Sequence, residues 1–336
     1  MRHVSKKTFR FGRKRTTKMT APPFHFRRRL KKGLVTPPPS CNYTAAASSV
    51  LADVYMNDSL GDCVIAGGYH VIGVSSANAG DMFIATSDQI IADYSAIGGY
   101  VPGDPSTDNG CELPDALSYW AGKGYADGSK LLGWLAVNPL DKAEMMAALY
   151  LFENLYIGME LPDAWVDPFP AGSGFTWDVA GDPVPSNGHC IMAAGYDATG
   201  LLVDTWGMMG HLTWAAVAKY CAPNTGGEIY VKVTEEMIAR ASAKAPNGLD
   251  WATLVSDFND MGGLLLNLPP SPPPAPGPLP SPPVPPAPSV VTLAQAEAWA
   301  ASKLRTLVAP ISPGRAALLA KEGLRQAWPK QEKRKK

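Results

Sequence analysis

The sequence predicts an α+β protein whose helical half precedes a half built from antiparallel strands. Apolar residues recur at helical spacing in the first half and form short strand-like runs in the second. Helices first and antiparallel strands later are typical of an α+β architecture. The predicted elements are helices at Cys63 to about Asn78, 81–95, Leu113 to Lys123 and Lys142 to Asn154, then strands at 155–161, 189–206 (a hairpin) and 227–233, with a long loop at 164–187 and a short helix at Leu212 to Tyr220.

The first helix is predicted to begin at a cysteine, directly after the polar loop at 57–62. Gly67 and Gly68 inside it cost roughly 1 kcal/mol each relative to Ala, so they predict close packing against another element. Asp141 is a plausible N-cap, because a short carboxylate accepts from the first free N–H groups of a helix. The hairpin is expected to turn through Asp197-Ala198-Thr199-Gly200.

Composition changes divide the chain into a main domain and several appendages. The 20 residues from 269 to 288 hold 13 prolines, which predicts a semi-rigid spacer of about 3.1 Å per residue. The helical hairpin after it is too small for a generous core, so it is expected to dock onto a partner. The predicted parts are a basic flexible arm at 1–33, a main domain at 34–267 (helical half about 42–150, β half about 151–235, tail helix about 250–266), a proline-rich linker at 268–289, the hairpin at 290–329 and a basic tail at 330–336.

Charge is segregated along a chain whose net charge is zero. Residues 1–33 carry 13 Lys and Arg and no Asp or Glu, whereas the region between the two basic ends is acidic. Three interpretations of the arm remain open: a solvated tail, a segment that binds nucleic acid or another acidic surface, or one that folds back onto its own acidic body. The linker is expected to be an inert spacer, with recruitment of a proline-reading domain as the alternative.

Cysteine and histidine usage argues against a disulfide scaffold and a metal site. The five cysteines have irregular spacings without a CxxC pair, so a reducing compartment is expected. The five histidines are scattered and form no HExxH motif, so neither a metal nor a cofactor is predicted. The chain has no run of 18 apolar residues and no apolar stretch after its basic N-terminus, so no membrane span and no secretory signal are expected.

Three stretches together hold the residue types of thiol-based nucleophilic catalysis. Cys63 lies where a helix N-terminus favours the thiolate through the macrodipole and unpaired N–H groups. His189 stands at the mouth of one hairpin strand, and Asp204 lies on the strand that pairs with it. Such catalysis requires a thiolate, a histidine in reach and a third group that orients the imidazole. We therefore predict that the three side chains meet in a cleft between the two halves.

These stretches resemble the active-site regions of the papain-like cysteine peptidases. Asn57, Gly61 and Cys63 match a Gln six residues before the nucleophile, a Gly two before it and the nucleophile itself, with Asn in place of Gln. The histidine strand is similar to Asn187-Gly188-His189-Cys190 with its later Gly195-Tyr196. The orienting Asn before a Ser-Trp-Gly is similar to Asp204-Thr205-Trp206-Gly207, and the substrate-binding loop to Asn109-Gly110.

The resemblance covers roughly residues 42–235 and extends to one branch of that family. Leu60-Gly61-Asp62-Cys63 and the Thr-Trp-Gly look like an uncharacterised branch in phage and prophage genomes, whose members carry Pro-rich and helical C-terminal extensions. The resemblance implies a papain-like fold with a helical subdomain facing an antiparallel β subdomain. It also implies a phage-associated thiol hydrolase acting on peptide or protein substrates. Because neither a secretory signal nor a membrane span is expected, the protein is expected in the cytoplasm or on a virus particle.

Each matched residue inherits an implied role. Cys63 would be the nucleophile, His189 the general base and Asp204 the group that fixes the imidazole tautomer. The Cys63 N–H and the Asn57 side chain would form the oxyanion hole, and Trp206 would shield the His189–Asp204 bond from water. The implied substrate-binding residues are Gly61, Asn109, Gly110, Gly188 and Trp206.

Departures from the family pattern keep other functions open. Asn57 is one methylene shorter than Gln, Asp62 puts a negative charge beside Cys63, and residues 1–33 do not resemble an inhibitory propeptide. One alternative is a catalytically inactive papain fold that serves as a structural or decoration protein of a virus particle, attached through 290–329. Others are a nucleic-acid-associated protein acting through 1–33, and transglutaminase or cell-wall amidase chemistry. The nearby His70 and His211 are expected to have structural roles.

Overall fold

A computed structural model describes residues 9–17, 25–29, 35–234, 237 and 240. These residues belong to one compact unit, Met1–Pro272, and a second unit, Pro273–Lys336, lies outside the described residues. The predicted tail helix at 250–266, the linker, the hairpin at 290–329 and the basic tail are therefore outside the described part as well.

Helices and strands follow the predicted segregation, which confirms the α+β class. The helices within the described residues are α1 (Ser48–Leu51), α2 (Cys63–Ala79), α3 (Ser87–Gly98), α4 (Leu113–Gly122), α5 (Lys142–Phe152) and α6 (Trp214–Tyr220). The strands are β1 (Cys41–Asn42), β2 (Gly133–Ala136), β3 (Leu155–Glu160), β4 (Phe175–Trp177), β5 (Gly188–Tyr196), β6 (Gly200–Thr205), β7 (Met208–Thr213) and β8 (Glu228–Val233). Among the described helices, none is both long enough and apolar enough to cross a bilayer.

The strands form one mixed sheet of order β2-β8-β3-β5-β6-β7-β4, with the short β1 added beside β5. All neighbours pair antiparallel except β4 and β7. Every residue of β3 and β5 is buried, and both α2 and α5 pack against these strands. The N-terminal end of β5, where His189 lies, therefore sits inside the protein rather than at an open edge.

Helix α2 packs directly against β5, and its glycines make that approach close. A Cβ atom at Gly67 would lie 3.1 Å from the Tyr156 ring and 3.3 Å from the Cys190 sulfur, and one at Gly68 would lie 2.9 Å from the Tyr125 ring. The close packing predicted from this glycine pair is therefore present. It brings the first turn of α2, which begins at Cys63, to the start of β5.

Two local differences from the predicted elements come from strands that carry weak sequence signals. The predicted loop at 164–187 contains the three-residue β4, and the predicted helix from Leu212 begins only at Trp214. Residues Met208–Thr213 alternate between buried and half-buried positions as β7, because Trp206 and Gly207 both adopt positive φ and turn the chain back tightly after β6. The Thr213 hydroxyl then caps α6 by accepting from the Ala216 N–H.

A glycine further along α2 provides a test of this packing. A Cβ at Gly73 would lie 2.2 Å from Cγ1 of the fully buried Val50, whereas a Cβ at Gly122 of α4 meets no atom within 4 Å. Gly73→Ala is expected to lower the free energy of unfolding by about 1–3 kcal/mol through overpacking. Gly122→Ala is the matched helical control and should be neutral or slightly stabilising. Denaturant unfolding of both variants measures the difference, and equal stabilities would contradict the packing.

Candidate active site

Cys63 is the first residue of α2 and is 1% exposed. Burial raises the pKa of its thiol to about 12, and the neighbouring Asp62 adds to the rise. Backbone N–H groups of Cys190 and Gly12 act in the opposite direction, as expected for donors that point at a thiolate. The side chain is therefore a neutral thiol in this structure, although it stands at a helix N-terminus, a position that by itself favours the thiolate.

His189 is completely buried at the start of β5, and its two ring nitrogens differ in environment. Nε2 lies 2.7 Å from Oγ1 of Thr205, and the ring stacks on the Trp206 indole at 4.4 Å between centroids. Nδ1 is buried and forms no hydrogen bond with any described residue. In particular, it is not bonded to the Cys63 sulfur. Burial lowers the pKa of His189 to about 3, so the ring is neutral at pH 7. The imidazole is therefore fixed in position by a hydrogen bond at Nε2, while Nδ1 forms no hydrogen bond with a described residue.

The hydrogen bond predicted between Asp204 and His189 is not formed, because the two side chains project from opposite faces of the sheet. Asp204 pairs in register with Met192, and neighbouring residues of a strand point to alternate faces. In this register the Asp204 side chain lies on the same face of the sheet as that of Met192, which is the face towards α2. The Thr205 side chain lies on the opposite face, together with that of His189. The indole of Trp206 therefore covers a His189–Thr205 contact rather than the predicted His189–Asp204 bond.

Asp204 instead faces His70 of α2, which lies about two turns beyond Cys63. Oδ2 of Asp204 is 3.1 Å from Nδ1 of His70, and His70 Nε2 is 3.0 Å from the carbonyl oxygen of Asp53. A carbonyl only accepts, so Nε2 carries the proton. Burial lowers the pKa of His70 to about 4 and raises the pKa of Asp204 well above its usual value. The two side chains thus form a buried pair with no net charge, and the structural role expected for His70 stays a prediction.

Asn57 does not present its amide to the space in front of Cys63. Its Nδ2 donates to the carbonyl of Leu60 at 3.0 Å and to Oδ1 of Asp62 at 3.1 Å, so both donor hydrogens are used within its own loop. Burial raises the pKa of Asp62 well above its usual value, and the hydrogen bond from the Asn57 amide acts in the opposite direction. The predicted oxyanion donor is thus replaced in this state by a loop-stabilising amide, and the Cys63 N–H remains as a donor with no acceptor inside its helix.

Residues 9–17, which we call the groove segment, lie extended in the cleft between the two halves. Gly12 and Arg13 both donate their N–H groups to the carbonyl of Gly188, at 3.3 and 3.1 Å. Cys111 donates its N–H to Gly12 O at 2.9 Å and accepts from the Lys14 N–H at 2.9 Å. The segment is therefore held mainly by main-chain hydrogen bonds, in the way that an extended peptide binds a groove.

Four of the five predicted substrate-binding residues contact the groove segment. Gly61, Gly110 and Gly188 lie against its backbone, and Trp206 donates its indole N–H to the Arg10 carbonyl at 3.4 Å while stacking on Phe9. The fifth, Asn109, donates its side-chain amide to Ser106 instead. The residues predicted to hold a substrate thus hold a part of this chain.

Glycine is required where the segment passes closest to the groove wall. A Cβ atom at Gly12 would lie 1.6 Å from the Gly61 carbonyl oxygen, and one at Gly110 would lie 1.7 Å from the Gly12 carbonyl oxygen. Both contacts are to backbone atoms, which cannot swing aside as a flexible side chain can. Any side chain at position 12 therefore prevents the segment from occupying the groove in this way.

Two ion pairs and a hydrogen bond anchor the C-terminal part of the groove segment to acidic residues of the main domain. Arg13 pairs with Glu228, Arg15 lies 3.8 Å from Glu160, and Thr17 bonds to Glu112 at 3.2 Å. Of the three interpretations of the basic arm, folding back onto the acidic body is the one observed for residues 9–17. The predicted flexible arm is to that extent corrected.

Sequence reasoning missed the contacts made by Thr205 and by the groove segment. Thr205 stands next to the matched Asp204, and only the strand register decides which of the two faces His189. Gly12 is a lone glycine between an aromatic and a basic residue, a weak signal in a run without periodicity. Among the described residues no group of three or more His, Cys, Asp or Glu side chains is arranged to hold a metal ion.

The fold, with a cysteine at a helix N-terminus facing a histidine strand across the cleft that holds residues 9–17, is that of the papain-like cysteine proteases, as the resemblance predicted. The structure is similar to that of xylellain, a cysteine protease from Xylella fastidiosa, with a TM-score of 0.52 at 15% identity over 70% of this chain and 99% of that one.

Two further solved structures match with lower TM-scores. They are procathepsin L2 proteinase from Tenebrio molitor larval midgut (TM-score 0.42, 16% identity, 60% of this chain and 69% of that one) and the Carica candamarcensis cysteine protease CMS1MS2 in complex with E-64 (TM-score 0.40, 14% identity, 59% and 99%). No protein-family model and no curated protein matches the sequence.

The lowered pKa of His189 gives an expected pH dependence of stability. Between pH 6.5 and about 3 the unfolded chain binds a proton on this imidazole and the folded protein does not, so stability falls as the pH falls below 6.5. At pH 5 the loss from this residue is about 2 kcal/mol. Near pH 5 the His70–Asp204 pair binds one proton in both the folded and the unfolded protein. It should therefore contribute little to the change of stability with pH.

Urea unfolding at pH 7 and pH 5 checks this expectation. The wild-type protein should lose more stability between the two pH values than His189→Gln does, by about 2 kcal/mol. Other titrating groups are common to both proteins and cancel in the difference. An equal loss in the two proteins would mean that His189 is accessible to water in the folded state.

Proposed function

We propose that this protein is a thiol hydrolase that cleaves peptide or amide bonds and is held latent by its own groove segment. Cys63 is the nucleophile, His189 the general base and Thr205 the residue that fixes the imidazole. The observation that carries the proposal is the buried His189 ring, whose Nε2 is held by Thr205 and covered by Trp206 while Nδ1 is left without a partner. An imidazole held in this way is suited to act as a general base.

The reaction begins when a substrate peptide replaces the groove segment. Nδ1 of His189 takes the thiol proton as the Cys63 sulfur attacks the carbonyl carbon, and Nε2–H donates to the Thr205 hydroxyl. The negative charge on the carbonyl oxygen is stabilised by the Cys63 N–H and the positive end of α2. His189 then protonates the leaving amine, and a water molecule activated by the same nitrogen hydrolyses the thioester and releases the acid.

Turnover of an unbiased fluorogenic peptide library tests the proposal in the full-length chain. The protein should be assayed as Gly12→Val, which frees the groove, with and without Cys63→Ala. Activity that disappears with Cys63→Ala supports a thiol hydrolase. Activity unchanged by Cys63→Ala, or absent from a Gly12→Val protein whose Cys63 reacts with a small alkylating agent, would overturn it.

Thr205 is expected to act as a positioning residue through its hydroxyl. In the Gly12→Val background, Thr205→Val should lower kcat about 10-fold with little change in KM, because one hydrogen bond to the imidazole is lost. Thr205→Ser should restore the rate. A lower thermal stability with kcat intact would assign Thr205 a structural role only.

The matched comparison is Asp204→Asn. Asp204 faces His70 rather than His189, so this variant should change kcat less than Thr205→Val does. A larger loss in Asp204→Asn would restore the role first expected for this carboxylate. Steady-state kinetics of the two variants side by side decides between the two assignments.

A papain fold without catalysis is the second candidate, and Asn57 favours it. The side-chain amide that would complete the oxyanion hole is fully engaged with Leu60 and Asp62. Under this alternative the groove segment is a permanent part of the fold. A Cys63 that stays unreactive in Gly12→Val, with the protein folded by circular dichroism, would favour this candidate.

Two predictions about binding partners rest on the sequence alone. Association with a phage or a virus particle through 290–329 stays a prediction, as does binding of nucleic acid through 1–33. The engagement of Arg13 with Glu228 leaves that arginine unavailable to phosphates and weighs against the nucleic-acid interpretation for this part of the arm. Co-sedimentation with particles and salt-dependent DNA binding would test the two.

A further inference from the structure

The geometry points to an arginine subsite in the groove, formed by Glu228, Tyr230 and Gly158, that selects peptides carrying an arginine beside the scissile region. This inference rests on the proposed function and adds a substrate class to it. The ligand is the guanidinium side chain of an extended peptide, and Arg13 of the groove segment occupies the subsite in this structure.

The Arg13 side chain is only 1% exposed and is the charged group of the segment that enters the protein most deeply. Its Nε lies 3.2 Å and its Nη2 2.5 Å from the same carboxylate oxygen, Oε1 of Glu228. A charged side chain buried to this extent is normally paired and hydrogen-bonded. The pocket therefore supplies a carboxylate where the guanidinium needs one.

Glu228 is itself held in position by its own strand, where the Tyr230 hydroxyl donates to Oε2 at 2.9 Å. The Thr16 hydroxyl, which lies 2.9 and 2.8 Å from the two carboxylate oxygens, belongs to the groove segment, as Arg13 does. Both Glu228 and Tyr230 belong to β8, which pairs with β3 in the interior of the sheet. The carboxylate thus sits on a rigid strand, which favours a defined binding geometry.

Gly158 of β3 provides the space for the guanidinium. A Cβ atom at this position would lie 2.8 Å from Nε of Arg13 and 3.1 Å from both Cγ and Oε1 of Glu228. Gly158 pairs in register with Glu228, so the missing side chain and the carboxylate face each other across neighbouring strands. The subsite is shaped as well as charged for this ligand.

Part of the recognition of the segment is independent of sequence, because the contacts of Gly12 and Lys14 with Cys111 are main-chain hydrogen bonds. The stacking of Phe9 and the missing side chain of Gly12 add a dependence on sequence. Arg13 is the buried charged side chain of the segment, so it is expected to add the discrimination by charge. A peptide that competes with the groove segment should need an arginine at the corresponding position.

Peptide binding in solution tests the subsite without requiring turnover. The protein is the full-length Gly12→Val, Cys63→Ala chain, and the probes are fluorescent peptides with the sequence of residues 9–17. The peptides carry arginine or its neutral analogue citrulline at the position of Arg13. We expect the arginine peptide to bind at least about 10-fold more tightly, as a charge-assisted hydrogen bond would give.

Three variants locate the effect. Glu228→Gln should abolish the preference for arginine over citrulline, and Gly158→Ala should weaken binding of both peptides by filling the pocket. Glu160→Gln is the matched control: it removes a neighbouring acid whose partner Arg15 is largely exposed, and it should keep the preference. Equal binding of the two peptides, or no binding of either, would overturn the subsite.

The result is separable from the test of catalysis. A protein that prefers arginine in this assay but never turns over a substrate has the subsite and lacks the proposed activity. A protein that hydrolyses peptides in a Cys63-dependent manner but binds both probes equally has the activity and lacks the subsite.

Discussion

Gly12→Val is expected to raise the rate at which iodoacetamide alkylates Cys63 by about 10- to 100-fold. A side chain at position 12 collides with the Gly61 carbonyl, where a Cβ would lie only 1.6 Å away. Such overpacking costs about 1–3 kcal/mol, which shifts the groove segment towards its released state by the corresponding factor. Release exposes Cys63 to water and lowers the pKa that burial now raises to about 12. Peptide mapping by mass spectrometry measures the rate for each cysteine.

Lys14→Val is the matched control in the same segment. The Lys14 side chain is exposed, so valine there should leave the groove filled and the alkylation rate unchanged. The half-buried Cys41 provides an internal reference for general loosening. Equal rates at Cys63 in Gly12→Val and Lys14→Val would mean that the segment does not control access to this thiol.

His189→Ala in the released protein is expected to lower kcat by about 1,000-fold, because the general base is lost. The informative comparison is His70, which lines the same small cavity of about 10 Å³ as Cys63 and Asp204. His70→Gln should cost less than about 10-fold, because in the proposed mechanism this imidazole only partners Asp204. His211→Ala, at a half-exposed site bonded to Asp197, should have no effect.

A reversed order of the two effects would assign the chemistry differently. If His70→Gln abolished activity and His189→Ala spared it, the base would be the His70–Asp204 pair on the α2 side of the sheet. The pH profiles add a second readout. The variant that removes the true base should lose the acidic limb of kcat/KM, which reports titration of the free enzyme.

Much of the fold could be predicted because its signals are local. Helical periodicity and capping residues such as Asp141 set α2, α4 and α5, and the Asp197–Gly200 turn fixes the β5–β6 hairpin. Position in the sequence also placed Cys63 at the helix start and His189 on the facing strand. Each of these features depends on residues within a few positions of one another.

The details of the site could not be predicted because they depend on register and on competition between partners. Asp204 and Thr205 are adjacent, and the pairing of Asp204 with Met192 decides that the hydroxyl rather than the carboxylate faces His189. Asn57 could reach either an oxyanion or its own loop, and the buried Asp62 takes its amide. The hydrogen-bond partner of each side chain is thus decided by residues that are close in the fold, and the order of residues along the sequence does not reveal them.

The groove segment illustrates the same limit on a larger scale. Residues 9–17 have no periodicity, and their contacts with Gly61, Gly188 and Glu228 span most of the main domain. Charge segregation indicated that the arm could fold back onto an acidic body. Only the structure identifies which acidic residue each arginine meets, and that the main-chain path runs through the predicted substrate groove.

Protection of Cys63 by the segment added in trans tests the central claim most directly. Full-length Gly12→Val is treated with iodoacetamide in the presence of increasing amounts of a peptide with the sequence of residues 9–17. If the segment shields Cys63 by filling the groove, alkylation of Cys63 should fall with saturation to the wild-type rate, while alkylation of Cys41 should not change. Alkylation of Cys63 that continues undiminished at high peptide concentration would show that the segment does not shield this thiol.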